Sequence, residues 1–147
     1  MQENHGNIYK IARTVSGLTQ ERWAEAIDVS VESVRGYENG TNFPGDEIVR
    51  RMCEISGIPA LAYWHLNRKS PLAAEVLPTV ERVPLPQAVV QLLCAIKQFG
   101  DYHSDLLEIA SDGKVTTIEA AAWENIVTRL DAVVKAAIQV KVAEGGA

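Results

Sequence analysis

The chain has 147 residues, 47% hydrophobic, 22% charged and 6% aromatic, with a formal net charge of −5. So apolar a chain with so modest a charge is not disordered, and its length suits one ordinary domain or two small ones. It has no run of about 18 apolar residues to span a membrane, and Met1–Lys10 lacks the apolar core of a secretion signal. Cys53 and Cys94, far apart, exclude a disulfide framework and a four-cysteine zinc site. These features predict a cytoplasmic protein with reduced thiols.

Five short helices are expected before residue 68. The first, over 7–16, places Ile8, Ile11, Ala12 and Val15 at helical spacing and stops at Gly17. Thr19 caps a second over 20–27, with Trp23, Ala24 and Ile27 inward. Ser30 caps a third over 31–39, ended by Gly40. A fourth runs from Pro44 or Gly45 to Ser56, packing Ile48, Met52 and Ile55, and Pro59 starts a fifth through Leu66. Four of the six prolines lie at 71, 78, 84 and 86, so 69–85 reads as a linker, extended over LPTVERVPLP.

Two long helices follow, over 86–111 and 117–143. Leu92, Ile96, Phe99, His103, Leu106 and Ala110 make a heptad-like seam on the first. Trp123, Ile126, Leu130, Val133, Ala137 and Val140 make another on the second, with Val127, Val134 and Ile138 as an extra stripe. Asp112-Gly113 breaks the chain between them, and Thr116 with Glu119 spells a capping box. So short a connection makes the helices antiparallel neighbours. A lone hairpin leaves one stripe wet, so a partner is expected to cover it. The expected fold is all-α, a five-helix head (5–68) followed by an antiparallel hairpin (86–143) for oligomerisation.

The segment LTQERWAEAIDVSVESVRGYENG carries helix-turn-helix spacing. Thr19-Gln20 opens the second helix, Trp23-Ala24 stands where a Leu-Ala pair is usual, Val29-Ser30 precedes the third, and Glu38-Asn39-Gly40 ends it. On these residues, 5–66 resembles the phage repressor/Cro (XRE-type) family, whose fold is lambda-repressor-like. The resemblance implies an Arg13–Glu38 structural ion pair and a third helix seated in the major groove of double-stranded DNA. It implies a phosphate contact from Gln20, base-facing positions at Val31, Glu32, Ser33 and Gly36, and backbone reach for Arg35. Asn39, Thr41 and Asn42 would offer groups to a phosphate after the helix. The head–tail order and the Asp112–Glu119 turn resemble a phage CII-type regulator, which implies a homo-oligomer on a repeated operator.

This reading helix departs from the family's habit of Gln, Arg, Asn or Lys. Val31 can touch only a thymine methyl, and Glu32 accepts from a cytosine amine while repelling phosphate. Asp28 replaces the usual turn glycine, and aspartate tolerates the left-handed conformation. Binding through so few readers leans on backbone contacts, indirect readout and dimer spacing. Charge fits this division: residues 1–69 hold eight Lys/Arg against nine Asp/Glu, and 70–147 hold six against ten.

The remaining features read as structural. Trp23, Tyr37, Cys53 and Cys94 are expected in the core, and Tyr63-Trp64-His65 as a cluster capping it or lining a ligand pocket. His103, between Asp101 and Asp105, is expected half-buried at a helix interface, fixing register. The Asp112–Glu119 turn matches half of a calcium loop, but an earlier ligand position falls on Ala110, which cannot coordinate. No metal, cofactor or nucleophile–base pair is expected, so an enzyme is not. The competing class is a protein-interaction module on a helix-turn-helix scaffold. A small-molecule sensor using residues 63–65 is a third.

Overall fold

Capping side chains begin the head's first three helices. In the computed structural model, which describes residues 7–145, Asn7 accepts from the amides of Tyr9 and Lys10 to start α1 (Ile8–Val15). Residues 5 and 6 of the expected head lie outside that range. Thr19 accepts from the Arg22 amide to start α2 (Gln20–Ile27), and Ser30 from the Ser33 amide to start α3 (Val31–Asn39). Each cap satisfies a donor that the first helical turn leaves unpaired. Asp28, in the turn between α2 and α3, takes the left-handed conformation at φ 58°.

Three further helices complete this half. α4 (Asp46–Ser56) ends at Gly57, whose φ of 66° suits a glycine. α5 (Ala60–Lys69) continues three residues past the expected end at Leu66. No breaker intervenes before Pro71, and Arg68 and Lys69 favour the carbonyl end of the helix dipole. Ser70 then caps a short α6 (Pro71–Val76), with Pro71 in the first turn where its missing donor costs nothing.

The chain divides into two compact units, Met1–Thr79 and Val80–Ala147. In the first, α1 packs on α3, α4 and α5, and α2 packs on α3 and α4. The core gathers Ile8, Tyr9, Ala12, Trp23, Ala24, Ile27, Val34, Val49, Met52, Ile58 and Leu61. Two expected faces are rotated. α1 buries Tyr9 and leaves Val15 exposed, while α4 buries Val49 and leaves Ile55 exposed. Ile8 and Ala12 of α1 and Met52 of α4 are buried as expected, so each face is shifted at one edge, toward Tyr9 and Val49, and keeps the rest. Tyr37 is half-buried, tilted against the Tyr9 ring.

In the second unit the expected 86–111 helix is two helices, α7 (Leu85–Gly100) and α8 (His103–Asp112). Gly100 weakens the helix by about 1 kcal/mol relative to alanine, and the Tyr102 amide turns back to the Phe99 carbonyl there at 3.1 Å. The capping box forms: Glu119 Oε2 accepts from the Thr116 amide at 2.8 Å and the Thr116 hydroxyl accepts from the Glu119 amide at 3.4 Å. α9 (Ala120–Lys141) follows.

α7 and α9 pair antiparallel, as two contacts fix: Leu85 amide to Glu144 carbonyl at 3.0 Å, and Arg129 Nη1 to Gln98 Oε1 at 2.9 Å. The inward residues of α7 are Ala88 and Ala95, buried, with Leu92 and Phe99 half-buried between and after them. Val83, Ala88 and Ala143 close the end of this core with Leu85 and Val140. Of the expected seam, Ile126 is buried and Leu106, Val133 and Ala137 are half-buried. Ile96, Trp123 and Leu130 are exposed. His103, expected half-buried, is exposed because the break at residues 101–102 sets it at the start of a new helix. Cys94, expected in the core, is also exposed, because Leu92 and Ala95 take the inward positions beside it.

Candidate nucleic-acid interface

An ion pair anchors the third helix. Arg13, near the end of α1, donates from Nε to Glu38 Oε1 at 2.5 Å and from Nη2 to Oε2 at 3.2 Å. Its third bond, from Nη1, holds the Leu18 carbonyl at 2.9 Å and so positions the entry into α2. Burial pushes the Glu38 carboxyl up, but the bonds from Arg13 and Gln20 outweigh it and hold Glu38 below its ordinary range. Asn7 donates to the Tyr37 carbonyl at 2.7 Å, tying the start of α1 to α3. Arg51 donates to the Ile27 carbonyl at 3.2 Å and approaches Asp28 at 3.6 Å, bracing the turn before α3. Neither Asn7 nor the bracing role of Arg51 was legible in the sequence, because each partner is more than twenty residues away.

The expected contact residues occupy one side of α2 and α3. Gln20, expected on phosphate, is half-buried, and its amide donates to Glu38 at 2.9 Å while its oxygen accepts from Arg35 at 3.5 Å. Val31 and Ser33 are half-buried, Ser33 sharing a hydroxyl bond with the Ser30 cap at 2.8 Å. Glu32 and Arg35 project outward, their side chains 87% and 55% exposed.

Gly36, expected on the base-facing side, is buried beneath the turn that follows the helix. The amides of Thr41 and Asn42 both donate to its carbonyl, and a Cβ there would stand 3.0 Å from Asn42 Nδ2. Asn39 Oδ1 accepts from the Thr41 amide and hydroxyl, so Asn39, Thr41 and Asn42 form one exposed turn at the end of α3.

Two short helices with a left-handed turn between them, the second presenting its first turns to solvent, have the geometry of a major-groove reader. Residues 10–62 match the family model described as a helix-turn-helix domain. The head is a helix-turn-helix domain. Two relatives are similar to it, an uncharacterized HTH-type transcriptional regulator of Sinorhizobium medicae (strain WSM419) and another of Rhizobium meliloti (strain 1021). Each is 25% identical over 59 residues, 40% of this chain and 42% of the relative's own length. No solved structure matches the chain.

The helix-turn-helix domain carries its cations beside acids. Arg35 lies 3.8 Å from Glu32, Arg22 lies 4.0 Å from Glu25, and Arg50 pairs with Glu47 at 2.6 Å and Glu54 at 3.5 Å. Glu21, Glu32, Asp46 and Glu47 occupy first turns of their helices, where they favour the helix dipole but oppose a phosphate. Exposed pairs of this kind contribute little to stability, because solvent and salt screen them. A phosphate therefore takes such an arginine from its carboxylate at little expense.

Behind the helix-turn-helix domain's reading face, His65 is buried between α1 and α4. Its Nδ1 lies 2.8 Å from the Tyr9 hydroxyl and its Nε2 lies 3.3 Å from Asp46 Oδ1, which also accepts from Lys69 at 2.7 Å. Burial is the largest influence and holds the imidazole below its ordinary pKa. His65 also lines a mostly apolar groove of about 360 Å³ with Asp46, Val49, Arg50, Cys53, Pro59, Ala62 and Leu66. Tyr63 and Trp64 are half-buried and take no part in that lining, so the expected three-residue cluster is divided. The Cys53 thiol is pushed up by burial. Among the described residues, no three His, Cys, Asp or Glu side chains converge to hold a metal, and no helix is long and apolar enough to cross a membrane.

Proposed function

We propose that this chain is a sequence-specific DNA-binding regulator of transcription, of phage or mobile-element type, that acts as a dimer or higher oligomer through its C-terminal helices. The observation that carries the reading is the α2–turn–α3 unit, matched to a helix-turn-helix domain, with Glu32, Arg35 and the Asn39–Asn42 turn on one exposed side. The two relatives named as transcriptional regulators support it, as does the near-neutral head set against a more acidic tail. Arg35 would serve backbone or base, Glu32 a cytosine amine, and the exposed side chains of the Asn39–Asn42 turn a phosphate, since the Thr41 and Asn42 amides are bound to the Gly36 carbonyl. The phage-type assignment rests on the CII-like order of head and tail and on the Asp112–Glu119 turn.

The mechanism follows from weak readers and symmetry. One head has few side chains able to pair bidentately with bases, so tight binding needs two heads about one DNA turn apart. Joining two heads converts the second contact into an intramolecular one and multiplies affinity through effective concentration. No enzymatic step is part of this reading.

Selection of genomic fragments with purified full-length protein, then binding at two salt concentrations, tests the proposal. The expected result is an enriched repeated sequence whose affinity falls as salt rises, because phosphate contacts release counterions. Binding without sequence preference and with little salt dependence would remove the operator reading. The pairing of arginines with acids, and the exposure of Glu32, favour one second reading, a protein-interaction module. Capture of no fragment, together with a negative potential over α3, is the outcome that module predicts.

A further inference from the structure

We propose that a second copy of this chain covers the face of the α7–α9 hairpin that carries Val89, Leu93, Ile96, Trp123, Leu130 and Val134. The inference rests on the assembly reading above and assigns its surface. α7 meets α9 through Ala88, Leu92, Ala95 and Phe99, and Val89, Leu93 and Ile96 each follow one of the first three by one residue. On α9, Trp123, Val127 and Val134 likewise follow Ala122, Ile126 and Val133, which are buried or half-buried. In an antiparallel pair, the same one-residue step turns both helices toward the same side, so the two stripes form one face. The register set by Gln98–Arg129 and Pro84–Glu144 brings Leu93 level with Val134, and Ile96 level with Leu130 or its neighbour.

The face has a definite chemistry. Its six side chains remain between 37% and 61% exposed. On α7 it runs Pro86, Val89, Leu93, Ile96 and Gly100, and on α9 it runs Trp123, Val127, Leu130, Val134 and Ala137, uncharged until Lys141 closes its end level with Pro86. The opposite side of the same hairpin bears Gln87, Gln91, Gln98, Asn125 and Thr128.

A patch on the order of 500 Å² reaches the upper range for any monomer's largest apolar patch. With its rim it approaches the roughly 800 Å² per partner that a stable interface buries. A two-fold contact must set a patch against itself, and a patch uncharged but for its edge does so without opposing like charges at its centre. A charged partner finds only Lys141, at the edge, to pair with. Two hairpins packed face to face complete a four-helix bundle.

Sedimentation equilibrium on the full-length protein tests the inference, with circular dichroism to verify folding. The expected result is a dimer, or a multiple of it, for the natural chain. Leu93→Glu should raise the subunit dissociation constant by about 30-fold or more, as truncating an interface anchor does, whereas Gln91→Glu on the opposite side should leave it unchanged. If Leu93→Glu loses its helical signal, Leu93→Ala carries the test, with weaker dimerisation expected at full helicity. A natural chain that stays monomeric at micromolar concentration, or a dimer indifferent to both substitutions at Leu93, overturns the proposal. A dimer formed by this face that selects no DNA overturns the operator reading and leaves the interface standing. A monomer that selects an operator does the reverse.

Discussion

Glu38 shows how much a single side chain carries in the head, since it receives Arg13 and Gln20 at once. Replacing it with alanine strands Arg13, whose side chain is only 16% exposed. Removing one partner of a buried pair costs roughly 3–5 kcal/mol, and the residual solvation of Arg13 places this case near 3. Thermal unfolding followed by circular dichroism should then show the head's Tm lowered by more than about 10 °C. Because the folded carboxyl lies below its ordinary value of 4.5, this stabilisation is present above that pH and is lost as the pH falls through the folded pKa. His65 adds a second pH dependence. Its folded pKa lies below 6.5, so the unfolded chain binds the proton first, and stability should fall as the pH drops through 6.5 toward the folded pKa. His65→Gln should flatten that slope in chemical denaturation at several pH values; an unchanged slope would show that another group is responsible. The Arg13–Glu38 pair was legible from the motif, because the family pattern specifies both positions. The Tyr9–His65–Asp46–Lys69 chain was not, because its bonded partners are 19 to 56 residues apart and no local pattern links them.

Among the elements, the α2–α3 turn and the start of α3 behaved as their cap residues predict, and the expected faces of α1 and α4 did so only in part, keeping Ile8, Ala12 and Met52 but losing Val15 and Ile55. Caps act through bonds within four residues, so a single sequence contains the whole interaction. Which stripe turns inward depends on neighbours that a helix's own sequence does not specify. The left-handed Asp28 offers a direct test of the turn. Asp28→Gly removes the Cβ strain at φ 58° and loses only an exposed 3.6 Å approach to Arg51. It should raise the Tm by a few degrees, whereas Asp28→Val, β-branched at a positive φ, should lower stability by about 1–2 kcal/mol. Gly36 is a different kind of glycine. Its φ is ordinary, and what it supplies is space for Thr41 and Asn42, which sequence reading placed after the helix as phosphate contacts, without their fold-back onto Gly36. In the tail, the capping box at Thr116–Glu119 was legible for the same local reason, while the break at residues 101–102 was hidden by a heptad-like phase that runs through it.

At the scale of the molecule, the prediction concerns assembly and DNA together. Deleting 86–147 should leave a folded head, judged by its cooperative unfolding, but abolish tight operator binding in a mobility-shift titration. A truncated head that binds as tightly as the whole chain would refute the need for assembly. The net charge of −5 fits this division, since residues 70–147 hold ten acids against six bases and need not touch DNA. What the sequence determined by itself was the helical character, the helix-turn-helix order and the positions of most caps. Those follow from periodicity, glycine and proline placement and short-range hydrogen bonds, all encoded within a few residues. Only the tertiary structure decided the rest. Antiparallel pairing of α7 with α9 turned Ala88 and Ala95 inward, and thereby left Leu93 and Leu130 outward on a common face. Burial is a property of what two elements leave exposed after they meet, and no single helix carries that information.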